Sequence, residues 1–126
     1  MPTATGTFEI ERRPGPPEGD GALARHDFTK KFAGSIEGTG VGLMISAGNP
    51  ASGAAGYVAM EVITGQLDGR RGSFALQQYG TMSVGGQRLE YEVVHGSGKG
   101  ELEGIVGRLD LSVEDGIHHY TLEYNL

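Results

Sequence analysis

Carboxylates, tyrosines and histidines on otherwise apolar segments are the residues of this sequence that could carry chemistry. Glu61 interrupts the apolar run YVAMEVI, residues 57–63. Burying a carboxylate there is costly unless it is paired or has a function. Two interpretations therefore stay open for Glu61. It is either a catalytic base or one half of a structural ion pair, with the partner drawn from Arg70, Arg71 and Arg88.

Glu9 and Glu11 lie two residues apart in the segment TGTFEIERR, residues 5–13. In a strand, side chains at this spacing point to the same side. If that side is buried, mutual repulsion raises the pKa of one carboxyl group, which suits general acid–base catalysis. The alternative is that both acids line a solvent-facing side, opposite Phe8 and Ile10.

His118 and His119 are adjacent, so in a strand their side chains point to opposite faces and cannot bind one metal ion together. No third ligand stands at a recognisable spacing, and the sequence has no cysteine. We therefore predict no metal site. His118 shares a face with Tyr120, Leu122 and Tyr124, which favours an interior position for it.

The glycine-rich segment GSGKGELEGIVG, residues 96–107, raises the question of a phosphate-binding loop. A Walker loop needs a Gly-Lys pair followed by Ser or Thr and a helix, whereas here Lys99 precedes Gly100 and a strand-like run. Its core GELEG also recurs, as GSIEG at 34–38 and GQLDG at 65–69. An acid followed by glycine is typical of a tight turn. We predict three similarly built turns or strand ends, with no nucleotide and no other cofactor.

Eight short segments of alternating or β-rich residues are separated by Gly, Pro, Asn and Asp. They are residues 5–13, 22–36, 40–47, 56–67, 73–82, 88–94, 107–113 and 118–124. No long window shows the three- and four-residue spacing of a helix. The pattern is typical of an antiparallel sandwich or barrel, and PGPPEGDG, residues 14–21, is predicted to be a loop after the first strand.

Length and charge limit the classes of function. The chain has 126 residues and a formal net charge of -6, and its length fits one domain, residues 1–126. The acidic balance disfavours nucleic acids and anionic membranes as partners, because both require a basic surface. No apolar run approaches the roughly 20 residues of a membrane span, and no signal segment opens the chain. We expect a cytoplasmic protein.

Four stretches carry a resemblance to a known family: GTFEIERR, GYVAMEVITGQLDGRRGSFALQQYGTM, GSGKGELEGIVG and HHYTLEY. Together they resemble the small bacterial proteins of the DUF3224 family, a domain of unknown function. The C-terminal third also looks like the last strands of the allene oxide cyclase and dirigent barrels. The resemblance implies an antiparallel eight-stranded barrel with a small, largely apolar lumen, and it implies no established activity.

The similarity to the plant cyclases is carried over residue by residue. Glu9 stands at the position of their lumen Glu, and Glu11 stands where they have Asn. Tyr91 corresponds to a lumen Tyr, and Met44 falls near their lumen Cys. Their water-holding Pro matches the loop PGPP only loosely. These departures argue against cyclisation of an allene oxide, and we do not predict that reaction.

Two functional hypotheses follow. In the first, the barrel binds a small apolar or aromatic molecule in its mouth and lumen. The residues assigned to ligand binding are Glu11, Met44, Gln77, Gln78, Tyr79, Tyr120 and Tyr124. In the second, the protein is a cofactor-free isomerase or cyclase. Its catalytic residues would be Glu9 or Glu61 as base and Tyr91 or His118 as hydrogen-bond donor. An acid and a donor that meet inside the lumen would favour the second hypothesis, and an apolar lumen would favour binding alone.

The strand 57–63 is apolar on both sides. Val58, Met60 and Val62 face one way, and the alternate residues face the other. A small barrel buries only one of these faces, and large apolar patches are uncommon on soluble monomers. We therefore expect a homo-oligomer, most simply a dimer, with this strand near the interface.

Overall fold

The computed structural model describes residues 2–16 and 21–126. The predicted loop PGPPEGDG therefore lies partly outside the described residues, at positions 17–20. The strands are β1 (Thr3–Pro14), β2 (Leu23–Gly34), β3 (Ile36–Asn49), β4 (Ala54–Leu67), β5 (Arg70–Ser83), β6 (Gly86–Val93), β7 (Lys99–Gly100), β8 (Val106–Glu114) and β9 (Ile117–Asn125). A short 3-10 turn, Pro50–Ser52, links β3 to β4. None of the described residues belongs to a helix that could cross a membrane.

The strands form one antiparallel sheet that closes on itself. Strands β1 to β6 pair in chain order, β6 pairs with β8, β8 with β9, and β9 with β1. The two-residue strand β7 adds to the edge of β5 at Gly72 and Ser73. The structure thus confirms the predicted all-β, antiparallel eight-stranded barrel.

Glycines on β3 allow large side chains to cross the lumen. Gly40 and Gly42 alternate with outward-facing Val41. A Cβ atom at Gly42 would overlap the Phe28 ring and would lie 2.8 Å from the Cβ of Glu61. A Cβ at Gly40 would lie 3.1 Å from Oε2 of Glu61. These two positions therefore leave room for the one buried acid of the described chain.

One end of the barrel is filled by apolar side chains. The third residues of the three glycine repeats, Ile36, Leu67 and Leu102, are each at most 1% exposed. They belong to one core cluster with Ile63 and Phe74. Each repeat thus places a buried anchor, but only GQLDG and GELEG turn at their acid–glycine pair, because Glu37 and Gly38 of GSIEG continue β3. We call this part of the molecule the closed end.

The segment 96–107 completes the closed end. Backbone hydrogen bonds from Leu102 to Lys99 and from Ile105 to Leu102 turn the chain within it. The Ser97 hydroxyl accepts a hydrogen bond from the Ala75 amide at 2.9 Å and ties the segment to β5. The segment turns the chain and leads into a strand, as the repeat predicted.

The seam between β6 and β8 is short. Within these described strands one residue pair, Glu92 with Arg108, is in register. All other neighbouring pairs of long strands share at least six. The barrel is therefore held least firmly at this seam.

The outer face of β4 is apolar and exposed. Val58, Met60 and Val62 are 57%, 52% and 49% exposed. They pair with Ile45, Leu43 and Val41 on β3, whose side chains share this outer face. The alternation predicted for 57–63 is confirmed, with Val58, Met60 and Val62 as its outward residues.

Candidate functional site

A cavity occupies the lumen beyond the closed end. Its volume is about 380 Å³. Its lining residues come from seven strands: Phe8, Ile10, Arg12, Phe28, Lys30, Met44, Tyr57, Ala59, Gln78, Leu111, Val113 and His118. We call it the lumen cavity. Apolar side chains make up most of its wall, as expected for a site that holds a small molecule.

Three polar side chains meet at the floor of this cavity. The Lys30 ammonium donates hydrogen bonds to Oε1 of Glu61 and to the Tyr91 hydroxyl, each at 2.9 Å. The Tyr91 hydroxyl in turn donates to Oε1 of Glu61. Each of these residues is at most 6% exposed. We call Lys30, Glu61 and Tyr91 the buried triad.

Strand geometry explains why the triad forms a floor. Along β4, Glu61 lies between Ile63 of the core and Ala59 of the cavity wall. Along β2, Lys30 lies between Phe32 of the core and Phe28 of the wall. Inward residues alternate at a period of two, so Glu61 and Lys30 each stand where the apolar core ends and the cavity wall begins.

Burial sets the electrostatics of the triad. It lowers the pKa of Lys30, and the neighbouring Glu61 charge partly opposes this effect. Burial also raises the pKa of Tyr91 well above its ordinary value, and the Glu61 charge adds to that rise. The hydroxyl of Tyr91 therefore stays protonated and able to donate at physiological pH.

Within the described residues, one hydrogen-bond acceptor and one hydrogen-bond donor of the triad have no partner in the triad. Oε2 of Glu61 is buried and has no hydrogen-bond partner. An ammonium group has three N–H donors, and Lys30 directs two of them to Glu61 and Tyr91. Its Nζ also lies 4.5 Å from the centre of the Phe8 ring, a cation–π contact at the cavity wall.

A second cavity forms the mouth of the barrel. This mouth cavity has a volume of about 640 Å³ and shares Met44 and Tyr57 with the lumen cavity. At the boundary, the Gln78 amide donates a hydrogen bond of 2.6 Å to the Tyr57 hydroxyl. Gln78 and Tyr57 thus stand between the mouth and the floor.

The structure places Glu9 and Glu11 outside the barrel. Both are exposed, and Glu9 pairs across the strands with Lys31. The inward positions of β1 are held by Phe8, which is buried, and Ile10. The lumen interpretation of the two acids is therefore wrong, and the solvent-facing alternative is the observed one.

Two of the predicted ligand-binding residues on β5 also face outward. Gln77 is exposed and donates to Glu92 at 3.1 Å, and Tyr79 is 36% exposed beside Arg88. Only Gln78 of this run can face the lumen, because consecutive strand residues point to opposite sides. The assignment of Gln77 and Tyr79 to the lumen is wrong.

Tyr120 and Tyr124 lie inside the molecule but at the closed end. The Tyr120 hydroxyl accepts from the Ile36 amide at 2.8 Å and donates to the Ala33 carbonyl at 3.1 Å. The Tyr124 hydroxyl donates to Asp68 at 2.5 Å. Neither lines the lumen cavity described above, so their assignment to a ligand in that cavity is wrong.

The remaining predicted residues come together. Tyr91 and Glu61 belong to the triad, and Met44, Gln78 and His118 line the lumen cavity. The His118 ring stacks on Phe8 with centroids 5.0 Å apart. No group of three or more His, Asp or Glu that could hold a metal ion occurs in the described parts of the chain.

Sequence reasoning missed two cations, Lys30 and Arg12. The ion-pair partner of Glu61 is Lys30 and not one of the three arginines considered for it. A signal was present, because Lys30 alternates in phase with Phe28 and Phe32. Arg12 likewise follows Phe8 and Ile10 at a spacing of two.

Comparisons with known proteins agree with this architecture. A crystal structure of a protein with unknown function from the DUF3224 family of Shewanella oneidensis MR-1 superposes with a TM-score of 0.92. The two chains are 41% identical over 100% of this chain and 97% of the other. No curated protein matches. The family model described as "Protein of unknown function (DUF3224)" matches residues 4–124, so the chain belongs to the DUF3224 family.

Proposed function

We propose that this barrel binds a small, mainly apolar or aromatic molecule in the lumen cavity. The observation that supports it is a cavity of about 380 Å³ with apolar walls and the polar triad as its floor. Volumes of roughly 300–1,000 Å³ and a few fixed polar groups are typical of small-molecule sites. The mouth cavity gives such a molecule a path from solvent.

The composition of the floor supports the proposal. A buried ion pair such as Lys30–Glu61 is often no more stable than apolar residues of the same volume. The same barrel fills its closed end with Ile, Leu and Phe, so apolar filling is available to this fold. A polar floor beneath an apolar wall therefore favours a role in orienting a bound molecule.

Acid–base isomerisation is the second candidate, and a specific contact favours it. Glu61 and Tyr91, an acid and a donor, are hydrogen-bonded inside the lumen. However, Lys30 is the one triad member that lines the cavity. Binding is therefore the primary proposal, and chemistry at Glu61 would have to pass through Lys30 or Tyr91.

A neutral fluorescent probe tests the binding proposal. N-phenyl-1-naphthylamine gains fluorescence in an apolar site, and we expect a saturable increase with one probe per chain. Ala59→Met fills the lumen cavity and should abolish the signal. Ala33→Met, an exposed position on β2, is the matched control and should bind like the unaltered protein. Equal binding by both variants, or no binding by the unaltered protein, would contradict the proposal.

The chemistry is tested after native mass spectrometry has identified a compound that co-purifies with the protein. Tyr91→Phe removes the donor to Glu61 but keeps the ring. If the barrel is an isomerase, this variant should bind the compound and lose its conversion. Absence of conversion by the unaltered protein would leave the protein as a binding module.

A further inference from the structure

The charge that lines the two cavities is opposite to the charge of the chain. The sequence has 16 acidic residues against 10 lysines and arginines. Yet no Asp or Glu lines either cavity in the described residues, whereas Arg12, Lys30 and Arg88 do. Cavities whose Lys and Arg side chains face no lining acid, in an acidic protein, favour a negatively charged ligand.

Lys30 and Arg12 bring two positive charges to the lumen cavity, and one of them is balanced by the negative charge of Glu61. Its Oε1 accepts from both Lys30 and Tyr91, and its side chain is 2% exposed. It lies beneath the cavity wall and does not line it. A ligand in the lumen cavity therefore meets Lys30 before it meets the acid.

Two cations face the same space. Arg12 extends from β1 into the wall of the lumen cavity, and Lys30 lies at its floor with one N–H left after its bonds to Glu61 and Tyr91. The Arg12 charge acts on this ammonium, since it contributes to lowering the Lys30 pKa. An anion placed between them would replace this repulsion with two attractive contacts.

We infer that the bound molecule is a small monoanion, a carboxylate with an apolar or aromatic body. The carboxylate faces Arg12 and the third N–H of Lys30. The body lies along the apolar wall formed by Phe8, Phe28 and Leu111. The inference rests on the proposed binding function and adds the chemical class of the ligand.

Three two-ring compounds of matched shape test the inference by isothermal titration calorimetry at neutral pH. They are 2-naphthoate, the neutral 2-naphthamide and the cationic 2-naphthylmethylammonium. We expect naphthoate to bind about tenfold more tightly than the amide, because hydrogen bonds to charged groups are the stronger class. The cation should bind most weakly, since Arg12 and Lys30 repel it.

Two variants that each remove one positive charge locate the effect. Arg12→Gln should weaken naphthoate binding by about threefold, the scale of a solvent-accessible ion pair. It should leave the amide unchanged. Arg13→Gln removes the same charge from an exposed position on the opposite face of β1 and should change neither. Both positions are exposed, so both variants should fold.

The outcomes separate the inference from the proposed function. If naphthamide binds as tightly as naphthoate, or the cation binds best, the anionic class is wrong and lumen binding stands. If Arg12→Gln and Arg13→Gln have equal effects, the preference arises from net charge and the inference is wrong. If none of the three compounds binds and the neutral probe also fails, the proposed function falls as well.

Discussion

The two ends of this barrel are built from the same strands but differ in packing. Apolar side chains fill the closed end, whereas cavities occupy the other end. At the closed end, Phe74 and Leu122 are at most 1% exposed, and the Tyr120 hydroxyl uses both its donor and its acceptor capacity. At the mouth, Leu89 is 42% exposed beside a cavity of about 640 Å³. The packed core and the two cavities are thus separated along the barrel axis, and the buried triad is the boundary between them.

The separation explains why a chain of 126 residues can keep an unfilled lumen. Filled interiors stabilise through burial of apolar area, and cavities reduce that gain. The closed end collects core residues from β1 to β9 and from the segment 96–107. The mouth is therefore free to carry exposed apolar and polar groups without being needed to hold the fold together.

Truncation of one large apolar side chain at each end should show the largest difference. Phe74→Ala should lower the free energy of unfolding by about 4 kcal/mol, because the closed end cannot collapse around the lost ring. Met44→Ala removes a half-buried side chain from an existing cavity and should cost about 1 kcal/mol or less. Urea unfolding measures both. Equal losses would mean that the ends are not distinct.

Substitutions in the buried triad should have the next largest effect on the free energy of unfolding. Lys30→Met leaves Glu61 buried without its cation and should cost about 3 kcal/mol. The double variant Lys30→Met, Glu61→Gln removes both charges and keeps an amide that the Tyr91 hydroxyl can reach. It should recover most of the loss in the same urea measurement. A double variant as unstable as the single one would show that the ion pair itself stabilises the barrel.

Removal of one tyrosine hydroxyl at each end, by the same Tyr→Phe change, should have smaller effects on stability. Tyr120→Phe leaves the Ile36 amide buried without its acceptor and should cost about 2 kcal/mol. Tyr57→Phe removes a hydroxyl whose partner, Gln78, lies beside the cavities and can be solvated. It should cost less than about 0.5 kcal/mol. Thermal unfolding followed by circular dichroism distinguishes the two, and a reversed order would contradict the assignment of the ends.

The smallest effect on stability is expected on the outer face of β4. The homodimer expected from the sequence stays a prediction, and Met60→Lys is its test. The variant should change the free energy of unfolding of the barrel by about 0.5 kcal/mol or less, because Met60 is 52% exposed. Light scattering should show a dimer for the unaltered protein and a monomer for the variant. A strict monomer at tens of micromolar would show the prediction to be wrong.

The fold was more predictable than the site because its signal is local. Alternation and glycine punctuation predict eight strands, and each predicted segment falls on one long strand, except that 22–36 runs past the end of β2 to Ile36, the first residue of β3. The turn function of segment 96–107 follows from the repeat in the same way. The similarity to allene oxide cyclases stays a prediction, since the comparisons give the DUF3224 family alone.

The site depends on contacts between distant residues. Glu61 was recognisable as an acid in an apolar strand, but its partner lies 31 residues away on another strand. The direction of the alternation on each strand is fixed only when the sheet closes, so Glu9 and Glu11 fitted either side. Gln77, Gln78 and Tyr79 are consecutive, and consecutive strand residues point to opposite faces. The prediction that placed all three at the ligand site therefore failed for Gln77 and Tyr79. The same alternation, applied to the run from Phe28 to Phe32, places Lys30 on the inward face and identifies it as the ion-pair partner of Glu61.

The single register pair at the seam between β6 and β8 has a consequence for hydrogen exchange. Amide protons exchange with solvent when their hydrogen bonds open, and edges of sheets open first. Strand β6 pairs along its length with β5, and β8 pairs along its length with β9. Between β6 and β8 themselves, one position is paired. We expect the amides that face the seam to exchange well before those between β3 and β4, which pair along fourteen positions. The sheet is closed in its topology, but in hydrogen exchange we expect β6 and β8 to behave like two edge strands that are joined at Glu92 and Arg108.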